Sequence, residues 1–377
     1  MPKERLKGEG TVRKRSDGRW MAEIMINKKR KSFYSTKSAQ DALRKMKLYL
    51  RNLEDCVPPP EKYFGEYIEN WYKLKKEPNL KIISAQTLKG IIDNHIVPRI
   101  GHYKLNELTS EIIERELLNP LKKTHSYSRV KKVYDYTNAC LKYAVAERHI
   151  IYNPMLTVEK PKTANFKFKE IEILSDDEIG KFMAALDATY STGRPMVRNA
   201  YAFAVILYSG LREGELFALR WKDYDKNKKT MLIDGNLVCA KDESGKYKMI
   251  EQSSTKTVAG QRKSPLGKKC IEALEKIREM SEHTSPDDFI VCTKDGKPMR
   301  PRSFQKSLDA LSKIAGIKHL TPHMLRHTFA SMLIQKGVDI KVVSELLGHA
   351  SVKITYDTYV HIIKEQKIEA LNKLDEL

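Results

Sequence analysis

The sequence predicts a multidomain protein: a small β-sheet plus helix at the N-terminus, an all-α middle, and a larger, mainly α segment with a small β-sheet. Three observations predict it. The length, 377 residues, exceeds one ordinary compact domain. The hydrophobic period is that of strands up to about Tyr34 and that of helices through most of the chain after it. Composition breaks at Pro58-Pro59-Pro60, at Asn153-Pro154 through Lys160-Pro161-Lys162, and in the basic stretch Thr163–Lys169 then divide the chain at about 1–57, 61–160 and 170–377. An apolar fraction of 41% is ample for buried cores in such units.

In the first segment, Thr11–Lys14, Trp20–Ile26 and Lys29–Tyr34 alternate as strands do, with Asp17-Gly18 and Asn27-Lys28 as turns. Thr36 precedes a helical run through Asn52, whose apolar residues Ala42, Leu43, Met46 and Leu50 recur at helical spacing. In the middle segment, Phe64, Tyr67, Ile68, Trp71 and Leu74 form one apolar stripe, and Val130, Val133, Tyr134, Thr137, Leu141 and Ala144 form another. Such stripes are the buried faces of helices rather than base-stacking surfaces. Ser84 suits an N-cap ahead of a helix over Ala85–Asn94. The last segment opens with Ser175-Asp176-Asp177-Glu178, a capping box. A buried helix near Arg198–Ser209 follows, then strands around Thr230–Val238 and Lys246–Gln252, and helices to the end.

The formal net charge is +21, and such an excess points to a polyanionic partner. Residues 1–60 carry sixteen lysines and arginines against seven acids, so a β-sheet presenting basic side chains to a DNA groove is a natural reading of that segment. The five cysteines, Cys56, Cys140, Cys239, Cys270 and Cys292, are scattered, which suggests neither a disulfide framework nor a zinc site and suits a reducing cytoplasm. No apolar run approaches the roughly 20 residues of a membrane helix, and the charged N-terminus does not read as a secretory signal.

The chemistry-bearing residues gather in the last segment. Gly210 ends an apolar helix, Arg212 sits at the following corner, and Glu215, three residues on, is placed to hold its guanidinium. His323 and Arg326 share a helix face, as a phosphate clamp with a proton-transfer group would, while Leu325 and Phe329 face the core. His323 and His327 at i, i+4 have metal-ligand spacing, but the glutamate of an HExxH motif is missing. His327 alone reads as a structural histidine. Gly348 ends another helix, His349 follows it, and Tyr359 lies ten residues further.

With GLREGE at 210–215, HMLRHTFA at 323–330, LGHAS at 347–351 and TYDTYVH at 355–361, the chain resembles the tyrosine recombinase (phage integrase) family, of the phage or conjugative-transposon type. The resemblance covers nearly the whole chain. It implies an arm-type DNA-binding domain over 1–57, a helical core-binding domain over 61–160, and a catalytic domain of the DNA breaking-rejoining fold over 170–377. It implies a site-specific recombinase that cuts and rejoins DNA through a covalent 3′-phosphotyrosine intermediate, with no cofactor and no metal. Arg212 and Arg326 would bind the non-bridging oxygens of the scissile phosphate, and Glu215 would orient Arg212. His323 would exchange a proton with the tyrosine, His349 would hydrogen-bond the phosphate, and Tyr359 would be the nucleophile. The lysine that protonates the leaving 5′-oxygen matches Lys256 best, with Lys241, Lys246 and Lys248 as competitors on the same hairpin. Tyr356 is the rival nucleophile; the Tyr-x-His ending and the gap from His349 favour Tyr359, which makes Tyr356 a packing residue. The implied partners are double-stranded DNA at core-type and arm-type sites, three further copies in a tetramer, an excisionase and a DNA-bending accessory protein. The charged tail Glu365–Leu377, with Ile368, Leu371 and Leu374 at helical spacing, would dock on a neighbouring protomer.

These residue types suit the reaction. Phosphodiester cleavage spreads charge over equatorial oxygens that two planar, permanently charged guanidinium groups can meet. A phenol with a pKa near ~10 is a poor nucleophile until cationic neighbours and a base act on it. A non-catalytic regulator on the same scaffold, an Xer-type recombinase and a type IB topoisomerase are the competing readings. The complete set of motif residues argues against the first, and the separate basic front segment argues against the other two.

Overall fold

The computed structural model describes residues 11–26, 29–55, 62–166, 172–242, 244–253 and 261–360. The chain forms two compact units, residues 1–168 and 169–377.

The first unit begins with an antiparallel sheet of β1 (Thr11–Lys14), β2 (Trp20–Ile26) and β3 (Lys29–Ser35), with β2 in the middle. The β1–β2 turn closes through Gly18, whose φ of +81° is a left-handed value that glycine adopts without strain. Helix α1 (Ala39–Asp55) covers one face, and Ala22 and Ile24 of β2 are buried against its Ala42 and Met46. The expected strand–strand–strand–helix order is found; the Asn27-Lys28 turn and Pro58-Pro59-Pro60 lie outside the described residues.

A second core in the same unit is built from α2 (Phe64–Trp71), α3 (Ile82–Ile91), α4 (Val97–Ile100), α5 (Ser110–Ile112), α6 (Asn119–Thr124) and α7 (Tyr127–Ala146). The stripe on α7 is buried at every expected position. On α2 the stripe holds through Trp71 and then breaks. A π-helical stretch over Tyr72–Lys76 widens the turn, which buries Tyr72 and leaves Leu74 70% exposed. Ser84 is not an N-cap. The Ala85 N–H already bonds the Lys81 carbonyl at 2.9 Å, so α3 begins at Ile82 and Ser84 lies in its first turn. The Asn153–Lys162 break is a packed strap, in which Asn153 accepts from the Met155 N–H and Met155 and Val158 enter the helical core.

The second unit opens with α8 (Asp176–Ala185), capped by Ser175 and Glu178 in the expected reciprocal box. Helix α9 (Ala200–Ser209) runs through the core, and Ala202 through Leu207 are fully buried. An element apolar on every side can only be a central post. Around it lie α10 (Glu213–Ala218), α11 (Lys268–Met280), α12 (Pro301–Ala315) and α13 (Pro322–Gln335), with the Phe304 ring of α12 tilted against Phe203 at 4.2 Å and edge-on to Phe217 at 5.0 Å. The expected strand over Thr230–Val238 is two strands: β5 (Thr230–Ile233) joins a sheet of order β4-β5-β8 with β4 (Tyr224–Asp225) and β8 (Arg262–Pro265), whereas β6 (Gly235–Lys241) pairs with β7 (Tyr247–Ser253). Helix α14 (Ile340–Leu347) and a helix over 352–360 complete the described fold.

Candidate active site

Helix α13 starts at Thr321, whose hydroxyl accepts from the Met324 N–H. Its 3.6-residue period sets His323, Arg326 and His327 on one face and sends Leu325 into the core. Arg326 is only 3% exposed, yet its charge is not stranded. Its guanidinium donates to the Gly210 carbonyl at 2.5 Å and to the Leu347 carbonyl at 2.8 Å. These carbonyls lie at the C-terminal ends of α9 and α14, where carbonyls lack partners within the helix and the helix dipole is negative. Both helices stop at a left-handed glycine, Gly210 at φ +66° and Gly348 at φ +63°, as the sequence predicts.

Arg212 sits at the N-cap of α10. Its backbone N–H and its Nη1 both donate to the Glu215 carboxylate, at 2.9 and 2.7 Å, and its Nη2 donates to the Gly348 carbonyl at 3.1 Å. The expected Arg212–Glu215 hold is therefore present. The sequence reading missed the third member. Arg262, at the start of β8, donates to both Glu215 oxygens at 2.9 and 3.2 Å and to the Leu346 carbonyl at 3.2 Å. No local spacing could reveal a pair 47 residues apart. Burial acts to raise the Glu215 pKa, but the Arg262 hydrogen bonds and charge, with Arg212 behind them, hold it at about 2.

His349, immediately after Gly348, shares a hydrogen bond with Thr355 Oγ1 at 2.8 Å through Nδ1. Tyr359 is 1% exposed and packs among Phe329, Ile334, Val343 and Leu347. Its hydroxyl lies 2.6 Å from His327 Nδ1, and the His327 ring meets His323 edge-on at 4.8 Å. Tyr356, one turn earlier, is 41% exposed and does not pack, which corrects that expectation.

Arg212, His323, Arg326, His327, His349 and Tyr359 line one cavity of about 470 Å³. Its electrostatics favour an anion. Burial, and then Arg212, push the Arg326 pKa down to about 9, still protonated at neutral pH. Burial followed by neighbouring cationic groups takes His327 and His349 to about 4 and lowers His323, so all three imidazoles are neutral near pH 7. Burial raises the Tyr359 phenol, against the pull of Arg326. Two adjoining guanidinium groups in a half-closed cavity lose their mutual repulsion when a phosphate enters.

Lys256 lies outside the described residues. Of its competitors, Lys248 is paired with Asp242 at 2.7 Å, and Lys241 sits over the Tyr247 ring. Among the described residues no group of three or more histidines, cysteines or acids could hold a metal ion.

Gly210 makes the site sensitive to one methyl group. A Cβ there would lie 2.4 Å from the Phe329 ring, on a backbone that L side chains rarely adopt. Gly210→Ala is expected to destabilise the second unit by about 2–4 kcal/mol, a fall in Tm of roughly 5–10 °C by calorimetry, and to slow DNA cleavage by moving the carbonyl that holds Arg326. An unchanged Tm would contradict this packing.

The family model of the phage integrase family matches residues 172–366, just over half of the chain. The chain belongs to the phage integrase family. This tyrosine recombinase, an enzyme of DNA strand breakage and rejoining, also matches the phage integrase N-terminal SAM-like domain over residues 63–122. It is similar to a tyrosine recombinase XerC-like protein of Caldanaerobacter subterraneus, 28% identical over 369 residues and covering 92% of each chain. The ICEBs1 integrase of Bacillus subtilis is 27% identical over 316 residues, 78% of this chain and 77% of that one. The integrase of Staphylococcus phage L54a is 25% identical, covering 83% of this chain and 93% of that one. Two solved structures share the recombinase's fold: the Tn1549 transposon integrase in complex with transposon right-end DNA (TM-score 0.68, 18% identity, 83% of this chain and 99% of that one) and a lambda integrase dimer bound to a core site (TM-score 0.59, 16% identity, 94% and 96%). No described helix is long and apolar enough to cross a membrane.

Proposed function

We propose that this recombinase integrates and excises a mobile genetic element, and that Tyr359 attacks the scissile phosphate to form a 3′-phosphotyrosine link. The observation that carries the proposal is the single cavity in which Arg212, Arg326, His349 and Tyr359 converge from positions up to 147 residues apart in the chain. In this reading Arg212 and Arg326 meet the non-bridging oxygens. Both arginines line the cavity, and carbonyl and carboxylate partners fix each fork there. His349 donates to the phosphate, Lys256 protonates the leaving 5′-oxygen, and a histidine of α13 exchanges the phenolic proton, His323 by family resemblance. The covalent link conserves the energy of the broken bond, so a 5′-hydroxyl from another strand can reseal the DNA without ATP.

Residues 1–57 act as the arm-type domain, 61–160 as the core-binding domain and 170–377 as the catalytic domain. The working assembly is a homotetramer on core-type and arm-type sites, joined by an excisionase and a DNA-bending protein, in the cytoplasm of a bacterial host at its nucleoid. The integrases of Staphylococcus phage L54a and ICEBs1 among the relatives support the mobile-element reading. The XerC-like relative supports a second one, an Xer-type recombinase.

The test is capture of the covalent complex. A nicked duplex carrying the junction of the mobile DNA beside the gene loses its short 5′-hydroxyl fragment after cleavage and traps the intermediate. Peptide mapping of the adduct is expected to place the nucleotide on Tyr359. Attachment at Tyr356, or no adduct on any junction sequence, would overturn the proposal.

A further inference from the structure

The hydrogen-bond partner of the Tyr359 hydroxyl among the described residues is not His323 but His327, at 2.6 Å through Nδ1. His327 reaches it from one turn further along α13, with its ring 5.7 Å from the phenol ring, while His323 touches the phenol only by way of His327, edge-on at 4.8 Å. The phenol itself is buried, so bulk water does not compete for its proton. We propose that His327 is a catalytic residue, the group that takes the phenolic proton of Tyr359 as its oxygen attacks the phosphate and returns it when the DNA is resealed. The inference rests on the reading of Tyr359 as the nucleophile and deepens it.

The step balances. In cleavage the Oη–phosphorus bond forms, the phosphorus–5′-oxygen bond breaks, and the phenolic proton moves to His327 Nδ1. The leaving 5′-oxygen takes a proton from a separate lysine ammonium, the role proposed for Lys256. In rejoining the attacking 5′-hydroxyl gives its proton to that amine, and the departing Tyr359 oxygen takes a proton by way of His327. The groups facing His327 are His323 and Arg326 on its own helix, Tyr359 on the helix over 352–360, and His349 after α14. Burial first, then His323 and the Arg326 charge beside it, keeps His327 unprotonated near pH 7, as a proton acceptor must be.

The experiment measures single-turnover adduct formation on the nicked junction duplex from pH 6 to 9, with the 5′-bridging atom either oxygen or sulfur. A thiolate leaves without protonation, so sulfur removes the need for the lysine and not for the base. His327→Ala is expected to form the Tyr359 adduct at least about 100-fold more slowly at pH 7 with either bridging atom. Its rate should climb about tenfold per pH unit as the phenol ionises unaided. DNA binding should be unchanged, and added imidazole should restore part of the rate. His327→Asn keeps a hydrogen-bonding group near the hydroxyl without a basic nitrogen, and carries the same test should the alanine variant fail to fold. It is expected to be as slow as His327→Ala and as steep in pH. Parent-like rates in His327→Asn would reduce His327 to a positioning residue, and the pH slope arising in His323→Ala instead would return the proton to His323; either result overturns the inference. An adduct that maps away from Tyr359 in the parent enzyme overturns the nucleophile reading itself, a result distinct from these.

Discussion

Tyr359→Phe is expected to bind the junction duplex as tightly as the parent and to form no covalent adduct, with cleavage below about one part in 10⁴ of the parent rate, the scale of loss when a nucleophile is removed. The ring stays where it is. Phe329, Ile334, Val343 and Leu347 enclose it, and the substitution removes a single oxygen without opening a large cavity. What is lost locally is the hydrogen bond to His327, which leaves one buried imidazole nitrogen unpaired at a cost of about 1–2 kcal/mol. Stability should therefore fall by no more than that and DNA affinity should hold while chemistry stops, a separation that a folding defect could not produce. Filter binding, calorimetry and a denaturing gel of the nicked-substrate reaction measure the three quantities. A residual adduct in the variant would direct attention to Tyr356, whose exposure leaves it free of the packing that positions Tyr359.

The parts of this site legible in the sequence were those set by local spacing. The GLREGE corner fixes Arg212 against Glu215 because the two lie one helical turn apart, and His323 and Arg326 share a face for the same reason. Gly210 and Gly348 were readable as helix ends because glycine adopts the left-handed cap so readily. What spacing cannot show is which end of one helix meets which side chain of another. The Arg326 hydrogen bonds to Gly210 and Leu347, the Arg262 grip on Glu215 and the His327–Tyr359 contact each join residues 21 or more positions apart. The misreadings in the fold are local in another way. At Leu74 a π-turn shifted the helical register, and at Ser84 a good capping residue lay just inside a helix that had already begun. In both places tertiary packing overrode a periodic or propensity signal.

Glu215→Gln is expected to be the most destabilising single change in the site. Gln matches the volume of Glu215, so the effect isolates the charge. The carboxylate is buried and serves three donors at once, the Arg212 backbone and the guanidinium groups of Arg212 and Arg262. Without it the enclosed Arg262 is left beside Arg212 and Arg326 with no counter-charge, a situation that costs about 3–5 kcal/mol. The pH dependence has a definite sign. The folded-state pKa of Glu215, about 2, lies below the roughly 4.3 of an unfolded glutamate, so its contribution is complete above about pH 5 and is lost as pH falls through 4 toward 2. That difference corresponds to about 3 kcal/mol, within the range expected from removing the charge. Denaturant unfolding should therefore show a constant deficit for the variant between pH 5 and 8 and a shrinking one below pH 4.5. A deficit that persisted undiminished to pH 2.5 would mean that Glu215 acts through packing and not through charge. Cleavage should fall as well, because freeing Arg262 releases its hold on the Leu346 carbonyl, next in the chain to the Leu347 and Gly348 carbonyls that hold Arg326 and Arg212. The same carboxylate thus holds both the fold and the phosphate clamp, and a variant that lost stability while cleaving at the parent rate would separate the two.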